Sequence, residues 1–446
     1  MASDRWLYAL SLSAVASSVA GLLVPLYLVR IGGDAAALGL SASLASLVGA
    51  PGAVFAGRYA DRTGNHRGLV LTSLAVSAVT LGLLPLIHTV PAVIAVNALL
   101  AFALAAIAPV VTMLVVGDSP ESNWGVRIAR LNTVQGYGAT AGLVIGSAWT
   151  LVVGGVFAAG ATQASLFVLA AAFGVASAVL AARSLPRADK LRVGPRGSNR
   201  VATILTRTSR TVRDATVSVA ANRIFWAVRS LSRRRVRRLR SEFPTVLWIY
   251  FGAAFLFFTG FAVFWAPLPL YLTTAGFSSG EVFALYLVNN VASMVLYGGA
   301  GRLVGLYDVR LVQGGALGLR AGAFLGVGIL GVGYLSPESV GPLAVVMAFL
   351  AVVGVTWAFI AVTGTAIVSR HAPESARGGI LGLYAALSAV GGSLGSLFGG
   401  WLAGFGFGVA VLVAAALVVA GGTIVYAAKR LSIPAGTDQG TTLATD

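Results

Sequence analysis

The sequence predicts an all-α polytopic membrane protein with twelve transmembrane helices, arranged as two six-helix bundles related by pseudo-two-fold symmetry. The chain has 446 residues, of which 57% are hydrophobic and only 10% charged, whereas a soluble domain carries about a quarter charged residues. Its apolar runs of about 20 residues or more are long enough to cross roughly 30 Å of hydrocarbon as helices. They also lack the polar–apolar alternation of barrel strands. Internal repeats then divide the runs into two halves.

Charged or turn-rich segments separate the apolar runs and set the boundaries of the spans. In chain order the predicted spans are 6–29, 35–57, 68–88, 91–116, 127–153, 161–183, 245–272, 279–300, 312–334, 341–367, 378–402 and 405–428. The first run is too long for the apolar core of a cleavable signal peptide, so we expect it to be a membrane helix. The predicted organisation is an N-terminal bundle (1–183), a basic linker (184–244), a C-terminal bundle (245–430) and a tail (431–446).

Basic residues predict the orientation, because Lys and Arg accumulate in short cytoplasmic loops. If the N-terminus is inside, the basic residues that fall inside are Arg58, Arg62, Arg67, Arg302, Arg310, Arg370, Arg377, Lys429 and Arg430. The segment from Arg183 to Arg240 holds 17 of the 31 basic residues and lies on the same side, and only Arg30 falls outside. We therefore expect an integral protein of the cell membrane whose two termini, linker and tail are cytoplasmic.

Two registers of internal repetition relate the halves. Residues 25–28 (Pro-Leu-Tyr-Leu) recur at 269–272, and Gly57-Arg58 recurs as Gly301-Arg302, both at an offset of 244. A second offset of 253 relates the glycines Gly138, Gly142 and Gly146 to Gly391, Gly395 and Gly399. Parallel repeats are typical of secondary transporters with a site between the repeats. The glycines predict close helix packing, and we expect them to form a sliding face between the halves.

The segment that follows the second span resembles a known family signature. It is similar to the loop G-x-x-x-D-R-x-G-R-R between helices 2 and 3 of the major facilitator superfamily. The matching residues are Gly57, Asp61, Arg62, Gly64 and Arg67. Asn65 and His66 stand where the family usually has basic residues. Twelve spans, a 6+6 repeat and a long middle loop extend the resemblance over the whole chain, but the motif says little about the substrate.

The resemblance implies that this segment is a gate. Asp61 would lie at the N-terminus of helix 11 near Gly378, where a carboxylate meets unpaired amides and the positive end of the helix dipole. Arg62 or Arg67 would pair with Asp118 at the cytoplasmic end of helix 4. These contacts would hold the cytoplasmic side shut in an outward-open state. The alternative is an ordinary positive-inside loop.

Neutral polar and aromatic side chains in the spans are the candidate substrate contacts. The resemblance implies that helices 1, 4, 7 and 10 line the cavity, with 2, 5, 8 and 11 beside them. The candidates are Ser17, Ser18, Asn97, Gln135, Tyr137, Tyr286, Asn289, Asn290 and Trp357. Hydrogen bonding between helices is the alternative role, since an amide in hydrocarbon needs a partner. Such a site would suit an uncharged or amphipathic solute better than a strongly ionic one.

Charged residues within the spans are few. None of the 14 acids lies in the middle third of a predicted span, although proton-coupled transporters commonly use an intramembrane acid. Asp34 and Glu281 are the nearest candidates for proton coupling, with exposed loop acids as the alternative. We expect Arg320 to lie within about two turns of the cytoplasmic boundary, where it can snorkel or form a gate salt bridge. Its alternative role is to attract anions at the inner vestibule.

The linker predicts a surface that binds anionic lipid. Its apolar residues recur at helical spacing with arginines between them, which is typical of an interfacial amphipathic helix. They are Val201, Ile204, Leu205, Thr208, Val212, Ala215 and Val219. Nucleic-acid binding is the other interpretation of the charge cluster, and we do not expect it, because the segment has few aromatic residues and is tethered at a membrane.

Together these observations predict a secondary transporter that moves a small solute by alternating access. Export of an amphipathic compound in exchange for protons is the first hypothesis. The alternatives are an uncoupled facilitator or importer of a neutral solute such as a sugar, and a non-transporting membrane receptor or scaffold. Three His, no Cys and no buried acid give no catalytic constellation. We therefore expect no enzyme activity, cofactor or metal, and a monomeric protein.

Overall fold

A computed structural model describes most of the chain. The described residues are 5–117, 120–185, 244–329, 341–373 and 377–428, with Gly197, Arg200, Val201 and Ile204 of the linker. Within these ranges the chain consists of helices and turns, without strands. Twelve segments of the described residues are long and apolar enough to cross a membrane, and they confirm the predicted spans. The predicted tail lies outside the described residues.

The N-terminal half is built of six long helices. They are α1 (Arg5–Arg30), α2 (Ala35–Thr63), α3 (His66–Leu83), α4 (Val90–Gly117), α5 (Trp124–Gly154) and α6 (Ala159–Ser184). Short 3-10 turns at Leu84–Leu86 and Glu121–Asn123 follow α3 and precede α5. The end of the bundle where α1 begins is called the proximal end below, and the opposite end the distal end.

The C-terminal half repeats this order with one additional break. Its helices are α7 (Thr245–Trp265), α8 (Leu268–Thr274), α9 (Ser279–Leu306), α10 (Val309–Ile329), α11 (Gly341–His371), α12 (Arg377–Ala403) and α13 (Phe407–Ala427). The seventh span is thus two helices, α7 and α8, rather than the single run 245–272. Pro267 and Pro269 lie at the break and remove backbone donors, whereas α1, with Pro25 alone, stays continuous.

Helix packing shows the pseudo-two-fold symmetry directly. In the N-terminal half α1 packs on α5 and α6, α2 on α4, and α3 on α4 and α6. In the C-terminal half α7 packs on α12 and α13, α9 on α11, and α10 on α11 and α13. Two equivalent contacts, α2 with α12 and α5 with α9, join the halves. The structure therefore consists of two six-span bundles with the same internal arrangement.

The repeat also holds at the level of single side chains. The Tyr27 hydroxyl donates to the carbonyl of Ile87 (2.8 Å), and the Tyr271 hydroxyl donates to that of Gly328 (3.3 Å). Each tyrosine thereby ties the distal end of the first span of its half to the end of the third. The offset of 244 residues therefore relates positions with the same structural role.

The repeated glycines pack mainly within each half. A methyl group on Gly142 would lie 2.6 Å from the Val15 carbonyl oxygen of α1, and one on Gly395 would overlap the Thr259 carbonyl of α7. Gly138 and Gly391 also face α1 and α7. The prediction of a sliding face between the halves is therefore wrong for these four positions. They are small because α5 and α12 pack against the first helix of their own half.

The apolar core consists of two buried clusters, of which one spans both halves and the other lies in the N-terminal half and linker. One buried cluster joins distal residues of the N-terminal half, such as Leu28 and Phe167, to residues along the whole C-terminal half, such as Phe283 and Ile367. A second cluster lies at the proximal end and contains described residues of the N-terminal half and linker, among them Trp6. The halves thus share a continuous packed core at the distal end.

Candidate transport site

The signature segment forms the end of α2 and the start of α3. The second span continues as a helix to Thr63 rather than ending at residue 57, so Asp61 and Arg62 lie in its last turn. Gly64 ends the helix with φ +72°, and its N–H donates to the Ala60 carbonyl. This left-handed conformation explains why a glycine stands at this position of the motif.

Asn65 begins α3 as its N-cap, and its side-chain oxygen accepts from the Gly68 N–H (2.9 Å). The Nδ1 atom of the next residue, His66, lies 2.8 Å from the carbonyl oxygen of Gly64. These two departures from the family signature thus have local roles in closing the turn. Ser, Thr, Asp and Asn are the residues that best satisfy the free N–H groups at a helix start.

The structure describes only some of the residues of the predicted gate. The Arg67 guanidinium donates to the Ala182 carbonyl of α6, which ties α3 to α6 within the N-terminal half. Asp118 lies outside the described residues, so its pairing with Arg62 or Arg67 stays a prediction. Asp61 is half-buried and Arg62 is exposed, and the role of Asp61 at the start of α12 also stays a prediction.

Near the distal end, backbone atoms bring α2 and α12 into close contact. A methyl group on Gly39 would overlap the Ser396 carbonyl oxygen and lie 2.9 Å from Cα of Gly400. One turn nearer the bundle centre, the Ser43 and Ser393 hydroxyl oxygens lie 2.9 Å apart. Since α2 begins and α12 ends at the distal end, these contacts close that end of the interface.

The equivalent contact between α5 and α9 is made by an aromatic side chain. The fully buried ring of Phe283 lies against Gly146, where a methyl group would overlap the ring. Nearby, the Ser147 hydroxyl donates to the Gly280 carbonyl (3.4 Å). This contact is also distal, because α5 ends and α9 begins there. Gly146 is therefore the one member of the N-terminal glycine series that meets the opposite half in the described structure.

The polar candidates of the N-terminal half mostly hold helices together. Ser18 donates to the Ala139 carbonyl of α5 (2.8 Å), and Asn97 donates to the Ser41 hydroxyl of α2 (3.0 Å). Ser17 donates to the carbonyl of Ala14 within α1 (3.1 Å). Interhelical and intrahelical bonding therefore accounts for these three side chains. Their substrate role has no further support here.

Two further N-terminal candidates lie on α5. Gln135 is half-buried and Tyr137 is 62% exposed. The exposed face that carries Tyr137 is next to the glycine face that packs on α1. Their role in substrate binding stays a prediction.

The candidates of the C-terminal half lie on α9 and α11. Asn289 is buried with 1% exposure, and its side-chain oxygen lies 3.0 Å from where a methyl group on Gly354 would stand. The Tyr286 ring meets Trp265 edge-on, with centroids 5.1 Å apart. Asn290, the neighbour of Asn289, is half-buried. Trp357 is 7% exposed and lies among aromatic rings of α7.

Comparison with known proteins identifies the family. A sequence model described as Major Facilitator Superfamily matches residues 7–336. The chain belongs to this superfamily. It is therefore an integral membrane transporter rather than an enzyme, as the signature segment, the twelve spans and the repeat predict. Comparison with curated protein sequences gives no match.

Solved structures of transporters share the fold over nearly the whole chain. The nucleoside transporter NupG, solved as a point mutant, has 13% identity and a TM-score of 0.64, and the match covers 96% of this chain and 100% of that one. A POT family transporter in complex with a thioalcohol-conjugated peptide has 11% identity and a TM-score of 0.64, with 94% of each chain covered. The human organic anion transporter MFSD10 (TETRAN) has 16% identity and a TM-score of 0.51, with 94% and 98% covered.

Arg320 occupies a position in this superfamily fold that the sequence analysis placed wrongly. It lies 11 residues after Val309, the first residue of α10, or ~16 Å along the helix axis. Its side chain is 1% exposed and donates to the Val353 carbonyl of α11 (3.0 Å). Snorkelling is therefore excluded in this conformation. The prediction failed because the span was taken to begin at residue 312 and because sequence does not show which way a side chain faces.

The two candidate proton carriers cap helices at the distal end. Asp34 is the N-cap of α2 and accepts from the Ala37 N–H (2.8 Å). Glu281, in the first turn of α9, accepts from the N–H and the hydroxyl of Ser278 (2.7 and 2.8 Å). Ser278 in turn accepts from the Glu281 N–H (3.3 Å), which completes a reciprocal capping box. Local structure accounts for both carboxylates.

The described part of the linker packs on protein. Val201 is fully buried in the proximal cluster that contains Trp6, and Ile204 packs against it. These two residues are therefore not part of a lipid-facing surface in this structure. The other residues of the predicted amphipathic helix, from Leu205 to Val219, lie outside the described residues, and their binding of anionic lipid stays a prediction.

Proposed function

We propose that the protein moves a small amphipathic solute across the cell membrane by alternating access. The observation that carries this proposal is the pair of pseudo-symmetric contacts between the halves, α2 with α12 and α5 with α9, both at the distal end. Glycines at these contacts allow the helices to approach closely. Two rigid bundles joined in this way can rock about a site between them.

The positive-inside distribution of Lys and Arg supports a cytoplasmic location for the proximal end and both termini. The described conformation then corresponds to closure on the external side. The separate proximal core cluster of the N-terminal half supports the same assignment, because shared packing between the halves lies at the distal end. Solute would exchange with the cytoplasm in this state.

Coupling has two candidates. Export in exchange for protons would use Asp34 or Glu281 as the proton carrier, whereas a facilitator would move a neutral solute down its gradient. The capping hydrogen bonds of both carboxylates favour the uncoupled mechanism, because each acid already has a structural role at the start of a helix. Proton-gradient-driven uptake and counterflow in proteoliposomes, with sugars, cationic drugs and organic anions, would separate the two.

A cross-link across the distal contact tests alternating access itself. The chain has no cysteine, so Ser43→Cys with Ser393→Cys introduces a single thiol pair where the hydroxyl oxygens lie 2.9 Å apart. Oxidation should lock the distal end and abolish counterflow, while a further cysteine introduced at the exposed Tyr59 of the proximal end should stay open to labelling. Reduction should restore counterflow.

Each single cysteine variant, treated in the same way, is the matched control. Full counterflow by the cross-linked protein would contradict the proposal. A receptor or scaffold would bind its solute without any exchange of accessibility between the two sides, so labelling of the two ends also discriminates that alternative.

A further inference from the structure

The C-terminal half contains a buried cation surrounded by aromatic rings. The Arg320 guanidinium carbon lies 4.1 Å from the Phe261 ring centroid and 5.5 Å from those of Phe324 and Trp357. One guanidinium nitrogen also donates to the Thr356 hydroxyl (3.4 Å). The group is called the arginine–aromatic cluster and consists of Phe261, Arg320, Phe324, Thr356 and Trp357. It joins α7, α10 and α11.

The cluster carries one formal charge, which is positive. The Arg320 guanidinium contacts the oxygens of Val353 and Thr356 and three ring faces, which attract a cation through their quadrupoles. Acids of the described spans lie at helix ends: Asp61 is two residues from the end of α2, and Glu281 is in the first turn of α9. An ionisable residue at membrane depth is costly and marks a functional site by default.

Trp357 adds a hydrogen-bond donor that this conformation leaves unused. Its indole Nε1 is buried and has no hydrogen-bond partner among the described residues. An indole N–H can only donate, so the site calls for an acceptor. The buried Ser293 hydroxyl of α9 likewise has no partner among them. Asn289 faces Gly354 across the parallel helices α9 and α11, so Ser293 and Trp357 lie about one turn further, at the same level.

An apolar surface adjoins these donors. The half-buried ring of Phe258 lies 6.5 Å from that of Trp357 and 5.7 Å from that of Tyr384 on α12. It also meets Phe261 edge-on at 5.8 Å. The surface therefore extends from the arginine–aromatic cluster to α12, the helix that contacts the N-terminal half through α2. Aromatic rings of this kind bury the body of an amphipathic ligand.

We infer that Arg320 and Trp357 bind a carboxylate of the transported solute, which is an amphipathic organic anion. A carboxylate oxygen accepts from the Trp357 N–H, and the negative charge of the carboxylate is attracted to the positive charge of Arg320. Phe258, Phe261 and Tyr384 hold its apolar body. Because Arg320 is 1% exposed, the carboxylate enters in a state in which the rings of α7 have moved aside. This inference rests on the proposed transport function and names its substrate class.

Matched acid and amide probes test the inference on the full chain in proteoliposomes. Equilibrium binding of radiolabelled 2-naphthoate and indole-3-acetate is compared with that of their carboxamides, which have nearly the same shape and no charge. We expect each acid to bind at least about tenfold more tightly than its amide, since hydrogen bonds to charged groups are the stronger ones. Equal affinities, or no binding of any probe, would overturn the inference.

Three variants separate recognition from packing. Trp357→Phe keeps the ring beside Arg320 and removes only the N–H. Acid affinity should fall about tenfold and amide affinity by less, because a hydrogen bond to a charged acceptor is stronger than one to a neutral carbonyl. Arg320→Gln should abolish the preference for the acid, and Arg320→Lys should retain part of it. Trp401→Phe, on a ring that is 57% exposed, is the control. Equal losses for acid and amide would assign both residues to packing and overturn the inference.

Failure of the anion site can be distinguished from failure of the transport proposal. If the Ser43–Ser393 cross-link blocks counterflow but acids and amides bind equally, only the anion site is wrong. If the cross-link does not affect solute movement, alternating access itself is wrong. Both measurements use the same reconstituted protein.

Discussion

The two contacts that join the halves occupy equivalent positions but are built from different groups. The offset of 244 residues relates Gly39 of α2 to Phe283 of α9, and the offset of 253 relates Ser147 of α5 to Gly400 of α12. In the α2–α12 contact two glycines bring backbone against backbone, whereas in the α5–α9 contact a ring fills the space over Gly146. One contact is therefore tight and rigid, and the other is held by a side chain that can rotate.

This difference indicates how the two interfaces open. Where two glycine backbones touch, there is no side chain that could change rotamer and fill a widening gap between the helices. The α2–α12 contact is therefore either fully closed or separated. Phe283 can change rotamer and follow a moving α5, because side-chain rotation is much cheaper than backbone displacement. We therefore expect α5 and α9 to accommodate small movements of the halves and α2 and α12 to define the closed state.

The largest effect is expected from Gly39→Ala. Its methyl group would meet the Ser396 carbonyl and the Gly400 backbone, which cannot move without separating the helices. Overpacking of this kind costs about 1–3 kcal/mol, so the distal-closed state should lose about tenfold or more in population. Labelling of a single cysteine at Ser393 should rise accordingly.

Gly392→Ala is the matched control, because a methyl group there meets nothing within 4 Å. It lies on the same helix, beside Ser393. If labelling rises equally in both variants, the close approach of α2 and α12 is not what defines the closed state.

A smaller effect is expected from Gly146→Ala at the equivalent contact. The methyl group meets ring atoms of Phe283, which can turn away, so the closed state should lose about 1 kcal/mol or less. The double variant with Phe283→Leu should recover most of this loss, and the coupling of the two changes is measured by the double-mutant cycle. If the loss equals that of Gly39→Ala, or Phe283→Leu gives no recovery, the contrast between the two contacts is wrong.

The sequence predicted the twelve spans because the bilayer sets their length and apolarity, and both are visible in the chain. It also predicted the repeat, and Tyr27 and Tyr271 confirm that equivalent positions make equivalent bonds. The contact of Gly39 with Gly400 could not be found in this way, because neither offset aligns one glycine with the other. A close approach between halves depends on tertiary packing, which one glycine in an apolar run does not reveal.

Arg320 shows the same limit for the candidate site. The sequence placed a cation near the end of a span, but its aromatic neighbours come from α7 and α11, far away along the chain. Trp357 was selected for its depth alone, and its unused N–H became visible only in three dimensions. The sequence thus predicted the candidate residues of α9 and α11 as separate positions. The structure adds that Arg320 of α10 lies beside Trp357 of α11.

A third prediction concerns the other end of α2. If Asp61 helps to hold the proximal side shut in the opposite state, Asp61→Asn should destabilise that state by about 0.3–1 kcal/mol, the usual strength of a carboxylate at a helix N-terminus. The inward-open population should rise by roughly two- to fivefold, measured by labelling of a cysteine at the exposed Tyr59. Arg58→Gln, one turn away on α2, serves as the control for loss of a charge. An unchanged distribution would remove Asp61 from the gate and leave the segment as a positive-inside loop.

The smallest effect is expected at the distal starts of α2 and α9, where the halves again use different groups for one task. Asp34 corresponds to Ser278 by the offset of 244, and each begins its helix as the cap. Asp34→Asn and Glu281→Gln keep the capping hydrogen bonds but remove the charge that a proton carrier needs. If both acids only cap their helices, uptake by these two variants and its response to a proton gradient should be unchanged. Asp34→Ala, which removes the cap, should cost about 1 kcal/mol of stability, measured as a lower Tm. Loss of proton-driven uptake in Asp34→Asn or Glu281→Gln would instead make that acid the carrier, because its hydrogen bonds would be intact and only the carboxylate would be missing.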